Sequence, residues 1–221
     1  MLMQHRLFSP INRRYGTWRG MIRSLLGRLE LVSGRLDEFR LRQPEQVKRV
    51  VFVCLGNICR SSYAHRIALR YGLPVASIGL STTTGGRSPA QAVAAAARAG
   101  VDMSTHRATN LADFDVRPGD LFLVMEVRQA HVLRRRLNGR TDVSIDLLGR
   151  WCTPRMPHLH DPFTLSDAYF DTAFARIEVA VHALSLDLAH LTQAAQQVRP
   201  ATSRPGWRTA RYSDNARRTT G

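Results

Sequence analysis

The chain has 221 residues, 44% of them hydrophobic, which is enough for one domain of ordinary size with extensions. Apolar runs such as 92–97 and 121–125 fall far short of the roughly 20 residues that cross a bilayer, and no signal-peptide pattern opens the chain, so we predict a cytoplasmic location. The net charge of +15 is concentrated in residues 1–49 (11 basic, 4 acidic) and 198–221 (6 basic, 1 acidic), and without a zinc-finger or aromatic RNA-binding motif it does not predict nucleic acid as a partner.

The first predicted element is an amphipathic helix over 18–39, within a basic N-terminal extension that comprises residues 1–47. Its apolar residues recur at steps of three or four. They are Trp18, Met21, Ile22, Leu25, Leu29, Val32, Leu36 and Phe39. Three glycines interrupt the pattern, so the helix is expected to be weak unless its apolar face is buried. Three alternatives stay open: packing on the protein's own domain or on a second copy, contact with an anionic membrane surface, or no stable helix here.

Residues 48–195 alternate strand and helix signals, with strands predicted at 49–54, 74–78, 121–125 and 143–147. Helices are predicted at 61–71, 91–99, 127–137 and 167–191. This order is typical of a small doubly wound α/β domain, in which a four-stranded parallel sheet is flanked by helices. Residues 196–221 have little to bury and are predicted to form a disordered basic tail.

A cysteine and an arginine stand six positions apart between the first strand and the first helix of this domain. In such a loop, backbone N–H groups converge at the positive end of the helix and form a cradle for a dianion. Arg60 can hold two phosphate oxygens in a bidentate fork, and a thiol in this field ionises easily, so Cys54 is predicted to be a nucleophile. The predicted substrate-binding residues of the loop are Leu55, Gly56, Asn57, Ile58, Cys59 and Ser61.

Displacement at a phosphate monoester also needs an acid for the departing oxygen. Asp161 is the candidate, because Asp-Pro-Phe at 161–163 follows the fourth strand, and loops after parallel strands surround the binding crevice. Phe163 is predicted to line the pocket. His158 and His160 are close in sequence to this acid, but no third ligand is evident, so solvated loop histidines are expected and no metal is predicted.

The stretch VVFVCLGNICRSS and the late Asp-Pro-Phe resemble the low-molecular-weight protein tyrosine phosphatase family over roughly residues 48–191. The resemblance implies a two-step mechanism without metal or cofactor. Cys54 would form a thiophosphate intermediate, Arg60 would hold the phosphoryl oxygens, and Asp161 would act first as acid and then as base. Asn57 would brace the loop and Ser61 would tune the thiolate. The family also links this chain to phosphoprotein substrates and to bacterial tyrosine kinases of polysaccharide export.

Several residues depart from the family pattern. Ser62 stands where proline is usual, His65 replaces glutamate, and Phe163 replaces the commoner tyrosine. The segment 81–88 corresponds to the substrate-selecting loop but has no aromatic residue. Met125 and Glu126 resemble a segment with an architectural role.

Some alternatives remain open. Cys59 is either a protective partner of Cys54, as the family implies, or a packing residue, whereas Cys152 is expected to be packed. Other functions on this scaffold are arsenate reduction with an external thiol and a catalytically silent phosphate-binding module.

Overall fold

The computed structural model describes residues 10–191 and residue 193, and the predicted tail at 196–221 lies outside the described residues. Four parallel strands form one sheet in the order β2-β1-β3-β4. The strands are β1 (Arg49–Cys54), β2 (Val75–Gly79), β3 (Asp120–Val124) and β4 (Ser144–Leu147). Residues 10–15 are helical, and the helices that follow are α1 (Trp18–Val32), α2 (Arg60–Arg70), α3 (Ala90–Arg98), α4 (Val127–Arg136) and α5 (Asp167–Asp187). The predicted doubly wound α/β fold is therefore confirmed.

Strand β1 lies inside the sheet and buries side chains on both faces. Val50 and Phe52 contribute to a core that includes residues of α2, α3 and α5. Val51 and Val53, which alternate with them, contribute to a second core that includes residues of α4. A strand with both faces covered is expected to be apolar along its buried length, as residues 50–54 are.

The sheet order places the loop after β1 at a topological switch point. The chain runs from β1 to β2 on one side and then crosses to β3 on the other side of β1. In open parallel sheets this reversal opens a crevice at the carboxyl ends of the strands. The loop 55–59 and the segments that follow β3 and β4 meet at this crevice.

Helix α1 ends earlier than the periodicity predicts. Gly34 has a φ of +75°, and its N–H donates to the Leu31 carbonyl while the N–H of Arg35 donates to the Glu30 carbonyl. These two bonds form a Schellman motif, which terminates a helix at a glycine. Beyond it, Leu36 and Phe39 leave the helical register and are buried in the second core. The predicted helix over 18–39 is thus two segments.

Helix α1 packs on the domain, but not through its apolar face. Its buried residues are Gly20, Ser24 and Gly27. A Cβ atom at Gly20 would lie 2.9 Å from a ring carbon of His160, and one at Gly27 would lie 3.2 Å from Pro157. The alternative in which the apolar residues pack on the protein's own domain is wrong for most of α1, because the small residues permit the closer approach of the helix.

Candidate active site

The cysteine loop passes close over the end of β2. A Cβ atom on Gly79 would lie 2.9 Å from the Leu55 carbonyl oxygen, so only glycine fits there without a shift. The Cys54 and Leu55 carbonyls accept hydrogen bonds from the N–H groups of Leu80 (3.0 Å) and Ser81 (2.8 Å). With its carbonyls held by the segment after β2, the loop is fixed at the crevice.

Asn57 is the internal brace of the loop. It is fully buried and has a φ of +52°, a left-handed conformation that asparagine tolerates better than most residues. Its Nδ2 donates to Ser61 Oγ (2.9 Å), its Oδ1 accepts from Thr109 N (2.9 Å), and its carbonyl lies 2.7 Å from His106 Nε2. These contacts connect the loop to α2 and to the segment before β3.

The Cys54 sulfur lies among hydrogen-bond donors. Its Sγ atom is 3.0 Å from Ser61 Oγ and accepts from the N–H of Asn57 at 3.2 Å. Because Asn57 Nδ2 donates to the same hydroxyl oxygen, the Ser61 proton is free to point at the sulfur. This arrangement favours a sulfur that carries negative charge.

The loop also presents several unused donors. In the part of the chain that the structure describes, the N–H groups of Leu55, Gly56, Ile58 and Cys59 have no hydrogen-bond acceptor. The buried Nε of Arg60 likewise has none among the described residues. Backbone N–H groups left unpaired at the start of a helix form an anion-binding site, and these belong to the loop that directly follows Cys54. Its donors match the three acceptor oxygens of a phosphoryl group.

Arg60 is only 1% exposed and is held by two carboxylates. Its Nη1 contacts Glu126 Oε1 at 2.6 Å and donates to the Leu159 carbonyl at 2.8 Å, while Nη2 contacts Asp161 Oδ2 at 2.5 Å. Burial acts to lower the pKa of Arg60, but the negative charges of Asp161, Cys54 and Glu126 outweigh it and raise the pKa. The guanidinium is therefore a permanent cation in a fixed orientation.

The predicted acid lies at the same site. Asp161 follows β4 by 14 residues, and its side chain is 38% exposed. The preceding Leu159 anchors this segment, because its N–H donates to the Met125 carbonyl just after β3. Phe163 donates its N–H to Asp161 Oδ1 at 3.3 Å, and its side chain is 48% exposed. Asp161 is thus brought from a distant part of the chain to the loop that carries Cys54 and Arg60.

The expectation that His158 and His160 are solvated is wrong. His158 is 7% exposed, and burial lowers its pKa to about 4. His160 is partly buried, lies 3.4 Å from Thr17 Oγ1 and packs against Gly20, and burial lowers its pKa too. Both rings lie between the acid loop and α1. Within the described residues, no group of three His, Cys, Asp or Glu side chains could hold a metal ion.

The other two cysteines are buried free thiols. Burial, and secondarily the charge of Asp161, raises the pKa of Cys59. Burial raises the pKa of Cys152 to about 11, and its sulfur donates to the Arg176 carbonyl at 3.7 Å. Cys152 is therefore packed, as expected. Whether Cys59 protects Cys54 stays a prediction.

Residues that the sequence analysis did not single out complete the site. His106 and Thr109 hold Asn57 from about 50 positions away, and no local motif marks them. Glu126 was expected to be architectural, and its buried contact with Arg60 fits that role. The segment 81–88 provides the N–H of Ser81 to the cysteine loop but no aromatic side chain.

Comparison with known proteins agrees with this geometry. The family model of low molecular weight phosphotyrosine protein phosphatases matches residues 49–197. The probable low molecular weight protein-tyrosine-phosphatase EpsP of Ralstonia solanacearum is 34% identical over 140 residues, 62% of this chain and 93% of EpsP. The crystal structure of the tyrosine phosphatase AmsI of Erwinia amylovora is 28% identical with a TM-score of 0.56, and covers 65% of this chain and 94% of that one. Vibrio vulnificus Wzb, solved with benzylphosphonate, is 26% identical with a TM-score of 0.54, and covers 64% of this chain and 99% of Wzb.

The fold, the cysteine cradle and its arginine define a phosphatase scaffold that uses a cysteine. The chain belongs to the low-molecular-weight phosphotyrosine protein phosphatase family. Residues 1–48 lie outside the family match. The match to EpsP covers 93% of EpsP but only 62% of this chain. The unmatched 7% of EpsP is too short for a segment comparable to residues 1–48.

Proposed function

We propose that this protein is a cysteine-dependent phosphomonoesterase that acts on phosphotyrosine or a similar aryl phosphate in a protein. The observation that carries the proposal is the set of N–H donors in the loop after Cys54, together with the buried Arg60 Nε, that have no acceptor among the described residues. Leu55 and Phe163, about half exposed on the two loops of the site, offer apolar contacts to an aryl ring in place of the aromatic missing from 81–88.

In the first step, the Cys54 sulfur attacks phosphorus and the bond to the leaving oxygen breaks. The loop N–H groups and Arg60 hold the phosphoryl oxygens, so the donors are already in place as charge develops. Asp161, in its protonated form, transfers its proton to the leaving phenolate oxygen. The products of this step are the free phenol and a cysteinyl phosphate.

In the second step, a water molecule attacks the same phosphorus while Asp161 takes a proton from it. The sulfur–phosphorus bond breaks, inorganic phosphate leaves, and the sulfur regains its negative charge. The Ser61 hydroxyl and the Asn57 N–H, at 3.0 and 3.2 Å, stabilise that sulfur as a leaving group. Glu126 keeps Arg60 oriented throughout, because it holds Nη1 while Nη2 contacts Asp161, and Nε is the nitrogen left for the phosphoryl group.

The nucleophile is tested by Cys54→Ser, with Cys152→Ser as the matched control. We expect Cys54→Ser to abolish turnover of an aryl phosphate while phosphate binding, measured by calorimetry, is retained. Cys152→Ser should turn over like the wild type, because Cys152 is packed against α5. Aryl phosphate turnover by Cys54→Ser would overturn the proposal. Thiol-dependent conversion of arsenate to arsenite without aryl phosphatase activity would favour arsenate reduction.

The acid is tested by Asp161→Asn across aryl phosphates of graded leaving group. We expect kcat to fall by about 10²–10⁴-fold for poor leaving groups, as is typical when a general acid is lost, and far less for good ones. The control Asp171→Asn alters an exposed carboxylate on α5 that pairs with Arg98, and should leave both rates unchanged. An equal loss for all leaving groups would remove Asp161 from this role.

A cytoplasmic phosphoprotein of a polysaccharide-export system, such as a tyrosine kinase, is the physiological substrate we propose. Relatives such as EpsP and AmsI are named protein-tyrosine-phosphatases, which supports the phosphotyrosine part of this proposal. A panel of phosphorylated peptides and of intact phosphorylated kinase domains tests it. A strong preference for kinase-derived phosphotyrosine is expected, and equal rates on all peptides would contradict it.

A further inference from the structure

Helix α1 carries an apolar surface that faces away from the protein. We define the outer stripe as Trp18, Ile22, Leu25, Leu26, Leu29 and Val32. Each of these side chains is at least 42% exposed, and Leu29 and Val32 reach 65% and 87%. Exposed large apolar side chains are normal singly, but six on one 15-residue helix form a contiguous patch that marks an interaction site.

The orientation of the stripe is fixed by the opposite side of the helix. At 100° per residue, Gly20 and Gly27 lie roughly opposite Trp18 and Leu29. Those glycines are buried against Pro157 and His160, so the stripe cannot turn inward without detaching α1. The apolar surface is therefore presented outward by a helix anchored from behind.

The charge around the stripe is strongly positive. Arg19 and Arg23, both exposed, lie along one border of it, and Arg13 and Arg14, also exposed, precede the helix. The acidic residue of α1 is Glu30. An apolar stripe that includes a tryptophan, bordered by arginines, is the pattern of a helix that lies in a membrane interface.

We propose that α1 docks this phosphatase on the surface of an anionic phospholipid bilayer. The stripe enters the boundary between headgroups and acyl chains, and the flanking arginines contact anionic headgroups. None of the described helices has the length and apolar content to cross a bilayer, so the contact is peripheral. This inference goes beyond the proposed function and does not depend on it.

Charge complementarity favours this occupant over a second copy of the chain. In a symmetric pair of α1 helices, the same patch meets itself, so Arg19 and Arg23 of both copies would border one interface. Like charges at one interface are costly. Each helix has one acidic residue, Glu30, which does not balance the two arginines. An anionic bilayer instead gains from every one of these arginines.

Docking in this way would bring the active site close to the membrane. The buried side of α1 packs on the ring of His160, which directly precedes Asp161. The site is thus one helix away from the bilayer, where the juxtamembrane segments of membrane proteins are accessible.

The test is flotation of the full chain with vesicles of neutral phosphatidylcholine alone or with added phosphatidylglycerol. We expect binding to the anionic vesicles that Leu25→Glu/Leu29→Glu lowers by about tenfold or more. The matched control Leu186→Glu alters an equally exposed leucine (66%) on α5 with the same charge change per site, and should bind like the wild type. Turnover of a small aryl phosphate should be unchanged in both, which shows that they are folded.

The charge contribution is tested separately. Arg19→Gln/Arg23→Gln should weaken binding to anionic vesicles by roughly tenfold, whereas Arg135→Gln, on the exposed side of α4, should not. Equal binding to neutral and anionic vesicles would overturn the proposal, as would stripe variants that bind like the wild type. A wild type that ignores vesicles but forms a dimer dissociated by Leu25→Glu/Leu29→Glu in sedimentation would assign the stripe to a second copy instead.

Discussion

At the scale of single residues, Asn57 determines the shape of the site. Its side chain joins Ser61 to Thr109, and its backbone occupies the left-handed region at the tightest point of the loop. Its side chain carries no charge, and the hydrogen bonds of that side chain go to Ser61 and Thr109. Its contribution is to keep the Ser61 hydroxyl pointed at the Cys54 sulfur, so its loss should affect turnover and stability together.

We predict that Asn57→Ala lowers the free energy of unfolding by about 2–4 kcal/mol, from lost buried hydrogen bonds and a left-handed alanine. The value of kcat for an aryl phosphate should fall more than KM rises. Urea unfolding and steady-state kinetics measure these effects.

Asn138→Ala is the control, because Asn138 has a similar φ of +48° but is exposed at the end of α4. It should lose only about 1–2 kcal/mol and keep its kcat. Equal losses in the two variants would contradict the bracing role of Asn57.

The part of the site that could be predicted from the sequence is the part formed by residues close together along the chain. Cys54 and Arg60 share one loop, so their spacing and the flanking strand and helix predict the cradle. His106 and Glu126 come from distant segments and meet the loop only because the sheet order places β2 and β3 beside β1. That proximity is a property of the tertiary fold, and no local pattern encodes it.

At the scale of elements, the N-terminal helix shows what periodicity can and cannot predict. The spacing of apolar residues correctly indicates a helix that begins at Trp18. It does not indicate which side is buried, because close approach of backbones favours small residues over large ones. Gly20 and Gly27 weaken an isolated helix, yet here they form its contact with the acid loop.

We predict that Gly20→Ala disturbs the acid loop through this contact. Replacing glycine by alanine inside a helix normally stabilises the helix by about 1 kcal/mol. At Gly20, however, the added Cβ would lie 2.3 Å from the Tyr15 carbonyl oxygen and 2.9 Å from the His160 ring. The variant should therefore be less stable, and its kcat should fall more for poor leaving groups than for good ones, because His160 adjoins the acid.

The control for this variant is Leu26→Ala, on the exposed side of the same helix. Leaving-group series and urea unfolding of both proteins measure the effect. Leu26→Ala should preserve both rates. A Gly20→Ala protein that is more stable than the wild type and equally active would show that α1 does not support the acid loop.

At the scale of the whole molecule, burial lowers the pKa of four histidine side chains. Burial lowers the pKa of His65 and of His158 to about 4, and it also lowers the pKa of His106 and of His160. Three of these four pack around the loops of the active site. In the unfolded chain each would titrate near its ordinary value of about 6.5.

We predict that the protein loses stability as the pH falls from 7 to 5. Below about pH 6.5 the unfolded chain binds protons that the folded protein excludes until about pH 4, so acid favours unfolding across that window. His65 and His158 should each contribute a loss on the order of 1–2 kcal/mol at pH 5. Urea unfolding at pH 7 and pH 5 measures the total loss.

The double variant His65→Gln/His158→Gln should show a smaller difference in the free energy of unfolding between pH 7 and pH 5. The control His182→Gln, at an exposed position of α5, should leave that difference unchanged. If the wild type were as stable at pH 5 as at pH 7, the histidines would be protonated in the folded protein at pH 5, and the prediction would be wrong.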